Sequence, residues 1–367
     1  MNRETPRMAL LGCGGVGGTI AAHLLRAGHP ALELVTHNPE IAARIARAGI
    51  ELREHEQVHR VPARATVELA QLKGDFDLIL LAMQPPQLEA AVHEARERLR
   101  PGGAFVVFQN GLCEQRVAAI VGERSVIGAI VAWGASMVAP GVYERTSPGG
   151  FTIGTLHGSV HPLEAELTRW LETIGPVQRT SNLLGARWSK LAINCAISSL
   201  GTIGGQRLGN LLRYRFARRL GLEVITEAVL VARAQGVKLE KVAGTLDLDW
   251  VCLSPRERYQ FGSPSLFAKH ALLLAVGARF RRLRSSMLAA IERGREPAVE
   301  FLNGEVVRHG EASGVPTPLN RAVVATIQAI AAGKAAPSVN LLRRLYWDTM
   351  ALRSPTAMPE HEHLGTS

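Results

Sequence analysis

The stretch MALLGCGGVGG, from Met8 to Gly18, decides how the N-terminal half of this sequence folds. A short apolar run leads into Gly12, Gly14 and Gly17, which have the G-x-G-x-x-G spacing, and helix-favouring residues follow from Thr19 to Arg26. This order predicts a strand, a tight turn and the start of a helix. Gly12 permits the turn, Gly14 lets the backbone approach a pyrophosphate, and Gly17 lets the helix pack closely on the strand.

The same turn predicts a dinucleotide-binding site. The first N–H groups of a helix have no partner within the helix, and together with the helix dipole they attract phosphates. Glycines also collect in ordinary turns, but a position after a strand and before a helix favours the binding motif. We therefore expect a cofactor to contact the turn residues Gly12, Cys13, Gly14, Gly15, Val16 and Gly17.

Length and composition are typical of a soluble globular protein with two domains. The chain has 367 residues, of which 47% are hydrophobic and 20% are charged. Its apolar runs are too short to span a bilayer, and the N-terminal one continues into the glycine turn, which favours a first strand over a signal peptide. We expect a cytoplasmic protein with no membrane partner, no metal site and reduced, scattered thiols at Cys13, Cys113, Cys195 and Cys252.

The formal net charge is +10, and arginines cluster in residues 207–219 and 279–284. Basic clusters occur in nucleic-acid-binding proteins, but no alternation of aromatic and basic residues and no known binding module accompanies these. The positive charge is explained more simply by arginines on solvent-exposed helix surfaces and by attraction of an acidic small molecule. We therefore expect a small-molecule carboxylate as partner and no nucleic acid.

The end of the second predicted strand, Leu32 to Thr36, bears on the choice of cofactor. Folds selective for NAD usually place Asp or Glu there to accept hydrogen bonds from the ribose hydroxyls. This chain has Thr36, His37 and Asn38 instead, and the nearest arginine, Arg44, lies in the next helix. Because no carboxylate stands at this strand end, a 2′-phosphate would meet no repulsion there. We therefore expect contacts from His37 and Asn38 to NADPH, with NAD as the less favoured alternative.

Further buried strands are predicted at 77–83, 103–108 and 126–131, each separated from the next by a helical pattern. This alternation is typical of a doubly wound parallel sheet, in which ligands bind beyond the carboxyl ends of the strands. Gln84 and Asn110 follow two of those strands, and we expect both at the cofactor. Because Asn-Gly is also a common turn former, the residues alone leave Asn110 open between turn and ligand.

The later segments complete the predicted domain organisation. After a helical stretch at 41–48, residues up to about 70 have the pattern of polar edge material, and short alternating segments at 133–153 predict antiparallel strands added to the sheet edge. Helical patterns dominate beyond Asn182. The predicted fold class is α/β, with a Rossmann-type doubly wound parallel sheet followed by a mostly α-helical C-terminal domain. The expected parts are a dinucleotide-binding domain at 1–180, a helical substrate and dimerisation domain at 181–345, and a disordered tail at 346–367.

Lys190, Asn194 and Ser198 are spaced i, i+4 and i+8 in a helix that is otherwise largely apolar. The three polar side chains therefore share one stripe. A solvated stripe on an amphipathic helix is one interpretation. The other is that Lys190 donates a proton to a carbonyl oxygen while Asn194 holds the substrate.

Several motifs together resemble the ketopantoate reductase family. They occur in the family's order and cover about positions 8 to 330: the glycine turn, QNG at 109–111, WSKLAINCAIS at 188–198, SSM at 285–287 and FLNGEVVRHGEASGVPTPLN at 301–320. The resemblance implies an NADPH-dependent reductase of a 2-oxo acid with its active site between the two domains. It implies that Lys190 is catalytic and that Asn110, Asn194, Ser198 and Ser286 contact substrate.

The sequence also departs from the family's pattern. Family members that make pantoate carry an asparagine where Ser198 stands, an acidic residue where Ala290 stands and a glutamate where Ala298 stands, and Glu300 occupies the next acidic position. A lysine usual near the cofactor is replaced by Gln84. These departures predict an altered substrate.

The segment at about 244–284 is longer than in the family and contains Trp250, Tyr259, Phe261 and Phe267. It is consistent with a remodelled pocket wall, a surface excursion or an oligomer contact. Arg279 or Arg284 in it are candidates to bind a substrate carboxylate. A homodimer is an expectation that the sequence does not fix.

Two other functions stay open at this point. The loss of the family glutamate at Ala298 is consistent with a non-catalytic NADP-binding sensor or partner protein. Imine reduction of the opine-forming type uses a similar two-domain plan, although no His-Asp pair of the kind those enzymes use stands out in the sequence.

Overall fold

The computed structural model describes residues 5–72, 74–241, 246–259 and 262–350. The chain divides into two compact units, Met1–Arg187 and Trp188–Ser367. The division falls inside a helix rather than at the predicted boundary of 180. Phe261 and the predicted tail from 351 onward lie outside the described residues.

The first unit is built on short, largely buried strands. They are β1 (Met8–Leu11), β2 (Leu32–Val35), β3 (Ile50–Glu54), β4 (Gln57–Val61), β5 (Ala65–Thr66), β6 (Phe76–Leu81), β7 (Leu99–Val107), β8 (Val126–Val131), β9 (Ala135–Ala139), β10 (Val142–Arg145), β11 (Phe151–Gly154) and β12 (Val177–Arg179). Its helices are α1 (Gly15–Arg26), α2 (Pro39–Ala48), α3 (Leu88–Ala95), α4 (Cys113–Val121) and α5 (Glu164–Leu171). Short 3₁₀ turns lie at Leu69–Gln71, Pro85–Gln87, Arg96–Arg98 and Glu123–Ser125.

The main sheet has the strand order β12-β11-β8-β7-β6-β1-β2-β5. From β5 to β8 all neighbours are parallel, whereas β11 is antiparallel to β8 and β12 is parallel to β11. The strand order reverses between β1 and β6, and the crevice outside their carboxyl ends is the usual ligand site of such sheets. The predicted fold class is confirmed, with a mixed edge on a parallel core.

The continuous apolar runs of the central strands explain why they lie in the middle of the sheet. Met8, Leu10, Leu78, Leu80 and Val106 are fully buried in one core cluster. Parallel strands covered on both faces have no polar side to alternate with. These strands could therefore be predicted from the sequence within a few residues.

A second sheet, with the order β4-β3-β10-β9, corrects two sequence expectations. The predicted polar edge material contains the β3–β4 hairpin, and β9 and β10 join that hairpin instead of the main sheet. In β3, Ile50 and Leu52 are fully buried, and in β10 Tyr143 is fully buried as well. Because β10 pairs with a strand about 90 residues earlier, its local pattern carries no sign of its partner.

The second unit is helical in its described part. Its first helix, α6 (Leu183–Gly204), begins in the first unit. The others are α7 (Leu208–Leu211), α8 (Arg215–Ala234), α9 (Leu248–Val251), α10 (Pro255–Tyr259), α11 (Pro264–Arg279), α12 (Ser286–Glu292), α13 (Asn303–Ser313), α14 (Pro318–Ala331) and α15 (Val339–Asp348). The mostly buried α8 packs on α9, α11, α13, α14 and α15. The last helix ends at Asp348, so helical structure continues past the predicted limit of 345.

Among the described helices, none combines the length and the apolar character needed to cross a membrane.

Candidate functional site

The glycine turn between β1 and α1 has the geometry of a phosphate-binding loop. Gly12 has φ +103°, and a Cβ on Gly17 would lie 1.9 Å from the carbonyl oxygen of Gly12, so neither position accepts a side chain. A Cβ on Gly14 would meet none of the described protein atoms within 4 Å. The first turn of α1 contains no acidic residue that would repel an anion. The space beside Gly14 and the N–H groups of α1 fit a dinucleotide pyrophosphate.

Tyr143 of the second sheet fixes this turn from behind. Its hydroxyl donates a hydrogen bond to the carbonyl oxygen of Cys13 at 2.8 Å, and its ring packs against Gly18, where a Cβ would lie 2.1 Å from the ring. Gly15 packs equally closely on the second sheet, because a Cβ there would lie 2.9 Å from the carbonyl oxygen of Ala135. Gly15 and Gly18 therefore serve packing of the second sheet, a role that sequence reasoning missed.

Cys13 and Val16 face the protein rather than a ligand. The Cys13 thiol is buried and lies 3.8 Å from the carbonyl oxygen of Val35, and burial raises its pKa to about 12. Val16 packs on the apolar core. Only the backbone of these two predicted cofactor residues is available to phosphates. The thiol is no nucleophile at neutral pH.

The end of β2 presents polar and no acidic side chains. His37 and Asn38 are exposed. Asn38 caps α2, because its Oδ1 accepts from the N–H groups of Glu40 at 2.9 Å and Ile41 at 3.2 Å. Arg44 donates to the carbonyl oxygen of Gly49 at 3.3 Å, at the far end of α2, so it does not supply a charge at the strand end.

The carboxyl ends of β6 and β7 are tied to each other. Gln109 is buried, and its Nε2 donates to the carbonyl oxygen of Met83 at 3.1 Å. Gln84 follows Met83 and Asn110 follows Gln109 in the chain, and both are exposed at this edge. The Cys113 thiol donates to the carbonyl oxygen of Asn110 at 3.4 Å. Within the first unit, the structure therefore brings these two predicted residues to the edge where the glycine turn also lies.

Arg187, near the start of α6, holds the loop after β7. Its guanidinium is buried and donates to the carbonyl oxygens of Val107 at 2.9 Å and Gln109 at 2.8 Å. It also pairs with the buried carboxylate of Glu114 at the start of α4, with Nε 2.6 Å from Oε1. No local pattern in the sequence distinguishes this arginine from the many on helix surfaces.

In the second unit, Lys190, Asn194 and Ser198 are half-buried along α6, as their shared stripe predicts. Other faces of the helix are anchored by hydrogen bonds. Ser189, next to the lysine, donates to the carbonyl oxygen of Glu240 at 2.7 Å, and Ser199 donates to Oδ1 of Asn303 at 2.8 Å. The stripe therefore lies on a helix whose rotation is fixed by buried side chains.

Ser286 lies beside the end of this stripe. The preceding residue, Ser285, is buried, and its hydroxyl donates to the carbonyl oxygen of Ser198 at 2.9 Å. The same hydroxyl lies 2.7 Å from the hydroxyl of Thr202. Gly201 permits the approach, since a Cβ there would lie 2.9 Å from the Ser285 side chain. The structure thus brings the predicted substrate residues of the second unit together.

The long motif at 301–320 has a structural role. Asn303 and Asn320 are fully buried and bond to each other at 2.8 Å. Glu227 of α8 accepts from the backbone N–H groups of Leu319 and Asn320 at 2.9 and 2.8 Å, so it caps α14. Burial raises the pKa of Glu227 to about 7, against the opposing effect of these hydrogen bonds.

The remaining predicted residues are engaged elsewhere. Glu300 is exposed and accepts from Gln328 at 2.5 Å, and Arg284 is paired with Glu292 at 2.6 Å. Arg279 stacks over the ring of Phe280 at 5.8 Å. Within the described ranges, no group of three or more His, Cys, Asp or Glu side chains has an arrangement that holds a metal ion.

Comparison with known proteins matches both units to one family. The family model described as ketopantoate reductase PanE/ApbA matches residues 8–158, and the model of its C-terminal part matches residues 182–331. A 2-dehydropantoate 2-reductase of Pyrococcus horikoshii is 24% identical over 324 residues, which cover 88% of this chain and 97% of the relative.

Solved structures agree with these matches. A PanE/ApbA family ketopantoate reductase from Ralstonia eutropha superposes with a TM-score of 0.73 at 25% identity, covering 89% of this chain and 99% of that one. A D-mandelate dehydrogenase bound to NADH and anilino(oxo)acetate has a TM-score of 0.75 at 18% identity over the same shares of the two chains. The second likeness is one of fold.

Proposed function

Because this chain belongs to the ketopantoate reductase family, we propose that it reduces the carbonyl group of a 2-oxo acid to the hydroxyl of a 2-hydroxy acid. The family matches over both units are the observation that carries this proposal. The chain is therefore an oxidoreductase, and the resemblance that its motifs indicated is confirmed.

The glycine turn supports binding of a nicotinamide dinucleotide through backbone groups. The N–H groups at the start of α1 would hold the pyrophosphate, and the free space at Gly14 admits it, whereas the N–H group of Gly12 already donates to the carbonyl oxygen of Val35 at 2.8 Å. Gln84 and Asn110 would contact the cofactor at the strand ends, with Asn110 also contacting substrate. When bound, the nicotinamide supplies hydride to the carbonyl carbon.

Lys190 would donate the proton that the carbonyl oxygen takes up as the carbon receives hydride. Asn194, Ser198 and Ser286 would orient the substrate through hydrogen bonds, and general acid catalysis by a positioned group typically contributes about 10²–10⁴-fold. The carboxylate of the substrate agrees with the net charge of +10. Where the family's pantoate-forming members carry an asparagine amide and two acidic groups, this chain has the shorter hydroxyl of Ser198 and the apolar Ala290 and Ala298, which supports a substrate other than ketopantoate.

For the cofactor we propose NADPH over NADH. The exposed His37 and Asn38 bring no negative charge to the end of β2, so a 2′-phosphate would meet no repulsion there. The D-mandelate dehydrogenase of similar fold binds NADH. The choice of cofactor is therefore tested by measuring the dissociation constants of this protein for NADPH and for NADH. We further propose a cytoplasmic enzyme that works as a homodimer and has no nucleic-acid partner.

The test is oxidation of NADPH and of NADH, followed by absorbance, against a panel of 2-oxo acids that includes ketopantoate. We expect turnover with some members of the panel and a lower rate on ketopantoate than on the best substrate. Lys190→Ala should lower kcat by about 10²-fold or more while NADPH still binds, as measured by fluorescence. Lys334→Ala, at an exposed lysine after α14, is the matched control.

Cofactor binding without turnover on any 2-oxo acid would identify a sensor instead of an enzyme. If Lys190→Ala keeps most of its turnover, this lysine is not the general acid. Activity on ketopantoate equal to that on the best substrate would overturn the interpretation of Ser198, Ala290 and Ala298.

A further inference from the structure

Helix α11 exposes an apolar face that its own fold leaves uncovered. Phe267 is 77% exposed and Leu274 is 46% exposed, and Ala271 and Ala278 are exposed between and beyond them. The four residues follow each other at intervals of 4, 3 and 4, so they lie on one side of the helix. Exposed apolar surface of this kind marks interaction sites.

The opposite side of α11 already belongs to the core of the second unit. Leu273 and Val276 line an apolar cavity of about 50 Å³ with Leu212 and Ile225. The one charged residue between Pro264 and Ala278 is Lys269, which is buried and pairs with Glu257 at 2.6 Å. A surface helix normally carries charged residues on its outer side, whereas α11 is apolar on both its outer and its core-facing side.

The intervals on the outer side are those of the a and d positions of a heptad repeat. Large and small residues alternate along them, in the order Phe267, Ala271, Leu274, Ala278. If a second α11 lies antiparallel with its centre between residues 272 and 273, Phe267 meets Ala278 of the other copy and Leu274 meets Ala271. Every large side chain then faces a small one, and the same contact is made twice around a two-fold axis.

Charge and size also favour a second copy as the occupant. With a net charge of +10 per chain, two copies repel each other, and an uncharged face is where they approach at least cost. The helix is about 24 Å long. Phe280 and Leu283, 46% and 43% exposed, follow its C-terminal end but alternate with the exposed Arg279, Arg281, Arg282 and Arg284, so the uncharged face runs from Phe267 to Ala278.

We propose that α11 is the dimerisation surface of this protein, through an antiparallel contact of two α11 helices. The contact depends on residues of the segment that is longer than the family pattern, and it does not depend on the proposed reaction.

The first experiment measures the mass of the full chain by light scattering during gel filtration. The wild-type protein should elute with twice the chain mass of 39.6 kDa. Leu274→Glu places two like charges in the central layers, so this variant should be monomeric at concentrations where the wild type is dimeric. Val138→Glu changes a side chain that is 51% exposed in the first unit and should leave the dimer intact. Circular dichroism checks that both variants are folded.

The second experiment tests the register with a short bis-maleimide cross-linker. A mixture of the Ala271→Cys and Leu274→Cys variants should give cross-linked dimers, because these positions face each other across the axis. A mixture of Phe267→Cys and Leu274→Cys should give far fewer, because its positions are offset along the helices. The four native cysteines are buried and should stay unmodified.

A monomeric wild type, or a Leu274→Glu variant that stays dimeric, would overturn the proposal. So would a monomer that binds phospholipid vesicles through Phe267 and Leu274, since the face would then be a membrane contact. Equal cross-linking in both cysteine mixtures would refute the antiparallel register.

Discussion

The guanidinium of Arg187 forms a buried ion pair with the carboxylate of Glu114, 73 positions earlier in the chain, with Nε 2.6 Å from Oε1. The same guanidinium donates to the carbonyl oxygens of Val107 and Gln109. One side chain thus connects α6, the end of β7 and the start of α4. Asn110, which follows Gln109 directly, lies on the loop that this arrangement holds in place.

Replacing Arg187 with Met should destabilise the protein strongly. The change removes the buried donor that the Glu114 carboxylate and two carbonyl groups share, and breaking a buried pair from one side typically costs about 3–5 kcal/mol. The free energy of unfolding, measured in urea by circular dichroism, should fall by that order.

The matched comparison is the double variant Arg187→Met/Glu114→Gln. Because the two groups contact each other and both charges are removed together, the double variant should lose less stability than the sum of the two single variants. Additive losses, or a loss of less than about 1 kcal/mol for Arg187→Met alone, would contradict the role assigned to the pair.

Substitution by alanine should lower NADPH affinity at Gly14 and stability at Gly17. The Cβ of Gly14→Ala would meet none of the described protein atoms, so the melting temperature should stay close to wild type while the affinity for NADPH falls about tenfold or more. The Cβ of Gly17→Ala would lie 1.9 Å from the oxygen of Gly12, so this variant should lose about 2 kcal/mol or more of stability. Differential scanning fluorimetry and NADPH fluorescence titration separate the two effects. A Gly14→Ala protein that binds NADPH normally would show that the space beside Gly14 does not receive the pyrophosphate.

Tyr143→Phe should weaken both the fold and the cofactor site. Its hydroxyl bonds to the oxygen of Cys13 at 2.8 Å in a fully buried position, and a buried group left without its partner costs about 1–3 kcal/mol. Because the carbonyl belongs to the glycine turn, NADPH affinity should fall together with the melting temperature. Tyr214→Phe, at an exposed tyrosine of the second unit, is the control and should change neither. An unchanged NADPH affinity in Tyr143→Phe would mean that the turn keeps its shape without this bond.

The sequence predicted the elements whose information is local. The strand, turn and helix at Met8–Arg26 follow from apolar runs, glycine spacing and helix-favouring residues that are neighbours in the chain. The stripe of Lys190, Asn194 and Ser198 follows from helical periodicity, and the structure places its members together on α6. Such patterns constrain each residue through others within about two turns.

The parts that sequence reasoning missed depend on residues far apart in the chain. Tyr143 supports a turn 130 positions earlier, and Arg187 reaches Glu114 across 73 positions. The second sheet was missed because β3 and β4 are short and partly polar and because β10, their neighbour in space, lies much later in the chain. Asn303 and Asn320 were visible only as parts of a motif, and the structure shows that they form a buried network with Glu227.

This network makes stability depend on pH through Glu227. Its pKa is raised from 4.5 to about 7 because burial disfavours the charged carboxylate, while the donors on Leu319 and Asn320 and the positive charge of Arg258 oppose the rise. Between these two values the folded protein keeps a proton that the unfolded chain has released. Stability therefore decreases as the pH rises through this window, and the stabilising contribution is complete only below about pH 4.5.

We expect the free energy of unfolding to fall by up to about 3 kcal/mol from this group between pH 4.5 and 7, since each unit of pKa shift corresponds to about 1.4 kcal/mol. Glu227→Gln cannot titrate, so its stability should depend less steeply on pH in this window than that of the wild type, even if it is lower throughout. Glu311→Gln, at an exposed glutamate of α13, should keep the wild-type slope. Urea unfolding at several pH values measures all three slopes. Parallel curves for the wild type and Glu227→Gln would show that Glu227 stays ionised in the fold, because its hydrogen bonds from the first turn of α14 would then outweigh its burial.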